Sequence, residues 1–181
     1  MRILSFLFGL AILFSCSHKS ENIDNSVIIG DSHRNYTIIK PDPAIVVTIS
    51  HEDSLDLNSD GISELRFAIS PIHTVTEIGS ETKIYTKNKL QILLSGINSP
   101  DALNIKAVLN NDSAWSDPYS DHLSFLLQSY ACYSYDHCLG WGNFLNTSGK
   151  YFGYKLGEKF GWILVDSSAS ELKIKEYTIL R

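Results

Sequence analysis

The stretch YFGYKLGEKFGWILVD, residues 151–166, decides the fold. Aromatic and β-branched residues, which favour strands, occupy both of its ends. Gly157-Glu158-Lys159 in the middle is a short glycine-containing loop of the kind that closes hairpins. Residues 167–171 then turn the chain into a last strand-like run, Leu172–Leu180. The C-terminal end therefore predicts a three-stranded antiparallel meander.

Upstream of this meander, short apolar runs alternate with turns rich in Gly, Pro, Asn, Asp and Ser. Further predicted strands are Tyr36–Lys40, Ala44–His51, Leu65–Ser70, Thr74–Ile78, Thr82–Tyr85, Lys89–Leu94 and Leu123–Tyr130. One segment, Ala102–Leu109, predicts a short helix, because Ser99-Pro100-Asp101 before it resembles a cap and first turn. We therefore expect an all-β fold over residues 36–181, an antiparallel β-sandwich with an open barrel as the alternative, and at most one short helix.

The N-terminus is typical of an export signal. Arg2 precedes an apolar run from Ile3 to Phe14, which is too short to span a membrane and has the length of a signal-peptide core. The sequence Leu13-Phe14-Ser15-Cys16 resembles the lipobox of bacterial lipoproteins. That resemblance implies that residues 1–15 are removed and that Cys16 carries a lipid anchor. Ser17, rather than Asp, follows the cysteine, which in the familiar sorting rule favours the outer membrane over the inner one. Residues 16–35 are polar and predict a flexible tether.

The net charge and the cysteine content are consistent with an exported protein. The net charge is −5, and loss of residues 1–15 removes Arg2 but no acidic residue, which leaves −6. This acidity argues against nucleic acid as a partner, since phosphate binding needs a clustered basic surface. The compartment outside the inner membrane is oxidising, so Cys132 and Cys138 predict a disulfide. Closing so short a loop stabilises a fold by roughly 2–3 kcal/mol.

The segment DLNSDGISE, residues 56–64, predicts a calcium loop. Calcium prefers six to eight oxygen ligands, and alternate residues of a tight loop can point toward one ion. The predicted ligands are the side chains of Asp56, Asn58, Asp60 and Glu64 and the carbonyl of Ile62. The pattern departs from an EF-hand because Phe67 occupies the twelfth position. The alternative is a polar hairpin turn, which also favours Asp, Asn and Gly.

Two features together resemble a group of uncharacterised secreted β-proteins. One is the Gly161-Trp162 strand followed by a final strand that contains Lys175-Glu176-Tyr177, and the other is the aspartate-rich loop near the start of the domain. The resemblance implies a β fold and no activity.

Aromatic residues near the cysteine pair are candidates for contact with a glycan or protein ligand, because Tyr and Trp stack and anchor well. They are Trp115, Tyr133, Tyr135 and Trp141. The alternative is that they belong to the core or to an ordinary surface. Gly140-Trp141-Gly142 predicts a turn that folds the indole inward, and Trp162 is expected in the core.

Catalytic signals are weak. The sequence contains no Gly-x-Ser-x-Gly, no His-Glu-x-x-His and no phosphate-binding glycine loop. Two functions remain: a non-enzymatic binding or accessory module stabilised by calcium, or a small hydrolase acting on glycan or cell-wall material through unidentified carboxylates. The first is favoured by the lack of a nucleophile motif.

Overall fold

The computed structural model describes residues 26–118, 124–134 and 137–181. All regular elements in these ranges are β-strands, and none of the described residues forms a helix long and apolar enough to cross a membrane. The strands are β1 Val27–Ile28, β2 Tyr36–Ile39, β3 Ile45–Thr48, β4 Asp53–Leu55, β5 Leu65–His73, β6 Ile78–Thr86, β7 Gln91–Ile92, β8 Leu94–Gly96, β9 Ser99–Pro100, β10 Val108–Leu109, β11 Ser124–Ser134, β12 His137–Trp141, β13 Thr147–Leu156, β14 Lys159–Ser167 and β15 Glu171–Leu180.

Two antiparallel sheets form the sandwich that the sequence predicts. The first sheet has the order β12-β11-β6-β5-β4, and the second has the order β2-β15-β14-β13-β7, with β3 also paired to β15. The C-terminal meander is confirmed: Gly153 of β13 lies opposite Trp162 of β14, and Ile163 of β14 lies opposite Tyr177 of β15.

Aromatic side chains join the two sheets. The ring of Phe67 in the first sheet meets that of Phe152 in the second edge-on, with centroids 6.2 Å apart. Phe144 packs against the same Phe152 ring at 6.1 Å. These contacts place the centre of the core between the middle strands of the sheets.

Trp162 is fully buried, as predicted, on the other face of the second sheet. Its ring contacts that of Tyr151, the residue before Phe152, with centroids 5.3 Å apart.

The first sheet is longer than the part of it that the second sheet covers. The turn between β14 and β15 meets the first sheet at two points, where the Ser80 hydroxyl donates to the Ala169 carbonyl and the Gln128 amide donates to the Ser168 carbonyl. Strands β6 and β11 continue past this level to Ile78 and Ser134. Part of the inner face of the first sheet therefore extends beyond its covering layer.

The predicted helix at Ala102–Leu109 is wrong. Leu103 forms a bridge with Tyr151, and Lys106 has a positive φ of 71°, which interrupts any helix. Val108–Leu109 instead pairs with β1, and Leu109 is fully buried. Pairing with a distant segment therefore overrides the local helix signal.

The start of the domain also differs from the expectation. Val27 and Ile29, which lie inside the predicted tether, are buried in the core. The described domain therefore begins before residue 36, while residues 16–25 lie outside the described residues. The predicted strands Thr74–Ile78 and Thr82–Tyr85 prove to be a turn followed by the single strand β6.

Candidate functional site

The acidic loop, residues 56–64, connects the neighbouring strands β4 and β5 and also contacts the second sheet. Leu55 and Leu65 pair across its base. Leu57 is fully buried, and its carbonyl accepts a hydrogen bond of 2.7 Å from the backbone N–H of Leu180 in β15. The loop is therefore fixed to both layers of the sandwich.

Asp56 organises the loop backbone. Its Oδ1 accepts from the N–H groups of Asn58, Ser59 and Asp60, and its Oδ2 accepts from Gly61 at 2.8 Å. Burial alone would raise the pKa of this carboxyl, but the four backbone N–H groups outweigh it and lower the pKa below its ordinary value. Gly61 has a φ of 88°, which explains why a glycine occupies this position.

Glu64 is the buried carboxylate of the loop, with 1% of its surface exposed. Its Oε2 accepts from the Leu57 N–H at 2.8 Å, whereas its Oε1 has no hydrogen-bond partner among the described residues. Burial raises the pKa of Glu64, and the Leu57 N–H and the nearby Asn88 side chain offset this only in part. A buried carboxylate oxygen without a partner is costly and is what a bound cation would satisfy.

Three acidic side chains of the loop converge. Asp56, Asp60 and Glu64 each offer one carboxylate oxygen, and these oxygens lie within 4.8 Å of one another. Like charges this close repel each other unless a cation lies between them. The cluster could therefore hold a metal ion, and it contains three of the five residues predicted as calcium ligands.

The other two predicted ligands, Asn58 and Ile62, lie in the same loop. The Asn58 side chain accepts from the Asp60 N–H at 3.0 Å and donates to its Oδ2 at 3.0 Å. The Ile62 side chain is exposed, and its N–H donates to Asp60 Oδ1 at 2.8 Å. These contacts keep the Asp60 carboxylate turned toward the inside of the loop.

The predicted disulfide between Cys132 and Cys138 is present. It joins β11 to β12, which is the edge strand of the first sheet. All five residues of β12 are exposed.

The predicted ligand-facing aromatics that lie among the described residues are not brought together. Trp115 is partly buried, stacks on Phe160 with centroids 5.4 Å apart and donates its indole N–H to the Asn110 carbonyl, so it packs against the core. Trp141 does not fold inward in a turn: it belongs to β12 and is 45% exposed. Tyr133 is 44% exposed, and Tyr135 lies outside the described residues.

A groove lies where the inner face of the first sheet extends beyond the second, and we call it the tip groove. Its volume is about 640 Å³, and it lies between the β5–β6 turn and the Cys132–Cys138 disulfide. Val75, Ile78, Tyr130 and Tyr133 are among its lining residues. Of these, Tyr133 was a predicted ligand-facing residue.

Sequence reasoning missed the tip groove, because the groove depends on how far one sheet reaches past the other. The β5–β6 turn that forms one wall is fixed by Thr74, whose hydroxyl accepts from the N–H groups of Thr76 and Glu77. This Thr-x-x-Glu turn was the available signal, and it was interpreted as part of a strand.

No protein-family model matches this chain, and neither a curated protein nor a solved structure matches it.

Proposed function

We propose that this protein is a lipid-anchored, non-enzymatic binding or accessory module of the outer membrane, stabilised by a calcium ion in its acidic loop. The observation that carries the proposal is Glu64, a buried carboxylate with one unpartnered oxygen beside Asp56 and Asp60. Calcium suits an all-oxygen site of irregular geometry better than magnesium, which demands a near-ideal octahedron.

The calcium site would be structural. The loop side chains of Asp56, Asn58, Asp60 and Glu64, with the Ile62 carbonyl, provide the hard oxygens that calcium prefers. The loop joins the first sheet at the Leu55–Leu65 pair and the second sheet at the Leu57 carbonyl, so an ion there would stabilise the packing of one sheet on the other. Affinity in the 10⁻⁴–10⁻³ M range, about that of extracellular modules, would keep such a site loaded outside the cell.

Placement of the N-terminal segment supports a module that presents its opposite end. Val27 pairs with Leu109, and the next residue, Asn110, is bonded to Trp115, which stacks on Phe160 beside the β13–β14 turn. This is the end of the sandwich that carries the acidic loop, since that loop is bonded to the last residues of β15. The described chain therefore begins at the end of the sandwich that is opposite the tip groove.

Thermal melting of the full chain with calcium, with magnesium and with a chelator tests the calcium site. We expect a saturable rise in Tm with calcium, a much smaller one with magnesium, and loss of the calcium response in Asp60→Ala. Asp112→Ala is the matched control, because it removes one exposed carboxylate outside the loop.

A melt that ignores calcium up to several millimolar, or an Asp60→Ala variant that responds as the wild type does, would contradict the calcium site. The anchor is tested separately by labelling cells with a fatty acid: label should enter the wild-type chain and be lost in Cys16→Ser.

A further inference from the structure

The floor of the tip groove is core-facing sheet surface that nothing in the described chain covers. Ile78 pairs with Cys132, and Ser80 pairs with Tyr130, so these four residues lie on one face of the sheet. Ser80, at the level of the Ala169 contact, is buried, whereas Ile78 is 66% exposed two residues further on. An apolar surface of this kind, in a fold that otherwise buries its inner faces, is typical of an interaction site.

The groove is also pre-formed. One wall is the Thr74 turn, whose hydroxyl already accepts two backbone N–H groups, and the other is held by the Cys132–Cys138 disulfide. Rigid walls reduce the entropy lost when a ligand binds.

The charge of the groove indicates which charge a partner would carry. Among the described residues that line the tip groove, Glu77 is the only charged one. Glu77 and Tyr133 line the groove together, and partial desolvation, followed by the Glu77 carboxylate, raises the pKa of Tyr133. A carboxylate at the rim of an apolar groove is complementary to a ligand that is apolar but carries one basic group.

We propose that the tip groove binds a segment of another protein, with apolar side chains over Ile78 and Tyr130 and one lysine or arginine beside Glu77. This inference rests on the proposed binding-module function and names its partner class. The described chain begins at the opposite end of the sandwich, so a lipid anchor would join the domain away from the tip groove, which favours a protein over the membrane as occupant.

Fluorescence anisotropy with the full chain tests the proposal. The probe is a fluorescein-labelled peptide of alternating valine and threonine with a central lysine, and its partner peptide carries glutamate at that position. We expect the lysine peptide to bind at least about fivefold more tightly, the effect of about 1 kcal/mol from one exposed ion pair. Glu77→Gln should remove the preference.

Two matched controls separate charge from contact. Glu81→Gln removes a carboxylate from β6, the strand that follows Glu77, at the position opposite Ser129 on the outer face, and should leave the preference intact. Ile78→Ser should weaken both peptides, whereas Ile97→Ser, at an exposed isoleucine elsewhere, should weaken neither.

Failure of this proposal differs from failure of the calcium site. The peptide proposal is overturned if neither peptide binds or if Glu77→Gln keeps the preference. It is also overturned if the wild type instead binds a second copy of itself or a lipid vesicle and Ile78→Ser abolishes that binding. The calcium-dependent melt of the same samples reports independently on the acidic loop.

Discussion

At the scale of single residues, Gly161 explains why a glycine precedes Trp162 in the central strand of the meander. A Cβ atom at Gly161 would lie 2.3 Å from Tyr154 Cζ and 2.4 Å from Thr178 Oγ1. Neither neighbour can move easily, because the Tyr154 hydroxyl donates to the Thr178 carbonyl at 2.6 Å in the core. We predict that Gly161→Ala destabilises the fold by about 3 kcal/mol, measured by urea unfolding.

Gly96→Ala is the control for this substitution. Nothing lies within 4 Å of a Cβ atom built at Gly96, so alanine should be accommodated without a clash. Equal stability of Gly161→Ala and wild type would show that Tyr154 and Thr178 are not packed as described.

Glu64 is expected to affect the stability of the fold in opposite directions without calcium and with it. Its raised pKa, relative to an ordinary 4.5, means that ionisation of Glu64 disfavours the folded state. The contribution of this group to stability is fully present below about pH 4.5 and is lost as the pH rises through the raised pKa. In chelator, wild type should therefore lose stability relative to Glu64→Gln between pH 4.5 and neutrality. With saturating calcium this order should reverse, because Gln offers no charge to the ion.

The measurement is the difference in unfolding free energy between the two proteins across pH, with and without calcium. Gln can still accept the Leu57 N–H, so the variant keeps the main contact of the side chain. Glu158→Gln, in the exposed β13–β14 turn, provides the same chemical change away from the loop. The prediction would be refuted if, in chelator, the unfolding free energy of the wild type rose relative to that of Glu64→Gln as the pH increased.

At the scale of elements, the β11–β12 hairpin depends on its disulfide. β12 has five exposed residues and a single pairing partner among the described strands, so little burial holds it in place. We predict that the double variant Cys132→Ser, Cys138→Ser is destabilised by about 2–3 kcal/mol, chiefly through the greater freedom of the unfolded chain. Urea unfolding measures this, and a reductant should then affect the wild type and leave the variant unchanged.

The same elements show what local sequence can and cannot predict. The strands of the meander could be predicted because aromatic and branched residues at Phe160–Val165 decide both the strand and its burial. The acidic loop could be predicted because its ligands are contiguous in sequence. Val108–Leu109 could not, because its partner, Val27–Ile28, is distant along the chain and resembles an apolar interruption in a tether. The tip groove could not be predicted, because no local sequence pattern indicates how far along the first sheet the turn at Ser168 makes contact.

At the scale of the whole molecule, the two proposed sites lie at opposite ends of the first sheet. The Glu64 carbonyl accepts from Lys87, just after the last residue of β6, whereas the tip groove begins at Ile78, the first residue of that strand. Eight residue steps of strand separate these ends, roughly 26 Å. The acidic loop thus lies at the end where the described chain begins, and the tip groove lies at the other end, where a partner can bind.

This arrangement predicts how calcium changes the dynamics of the chain. Leu57 donates to Glu64 and accepts from Leu180, so a bound ion should be felt in the second sheet as well as in the loop. We expect calcium to slow amide hydrogen exchange at Leu57 and at Leu180 by about the same factor, because both amides are released by one opening of the loop from β15. The Thr74 amide, bonded to Glu77 at the groove end, serves as the internal reference and should exchange at an unchanged rate. Slowing confined to the loop, with Leu180 unaffected, would mean that the ion orders the turn without joining the sheets.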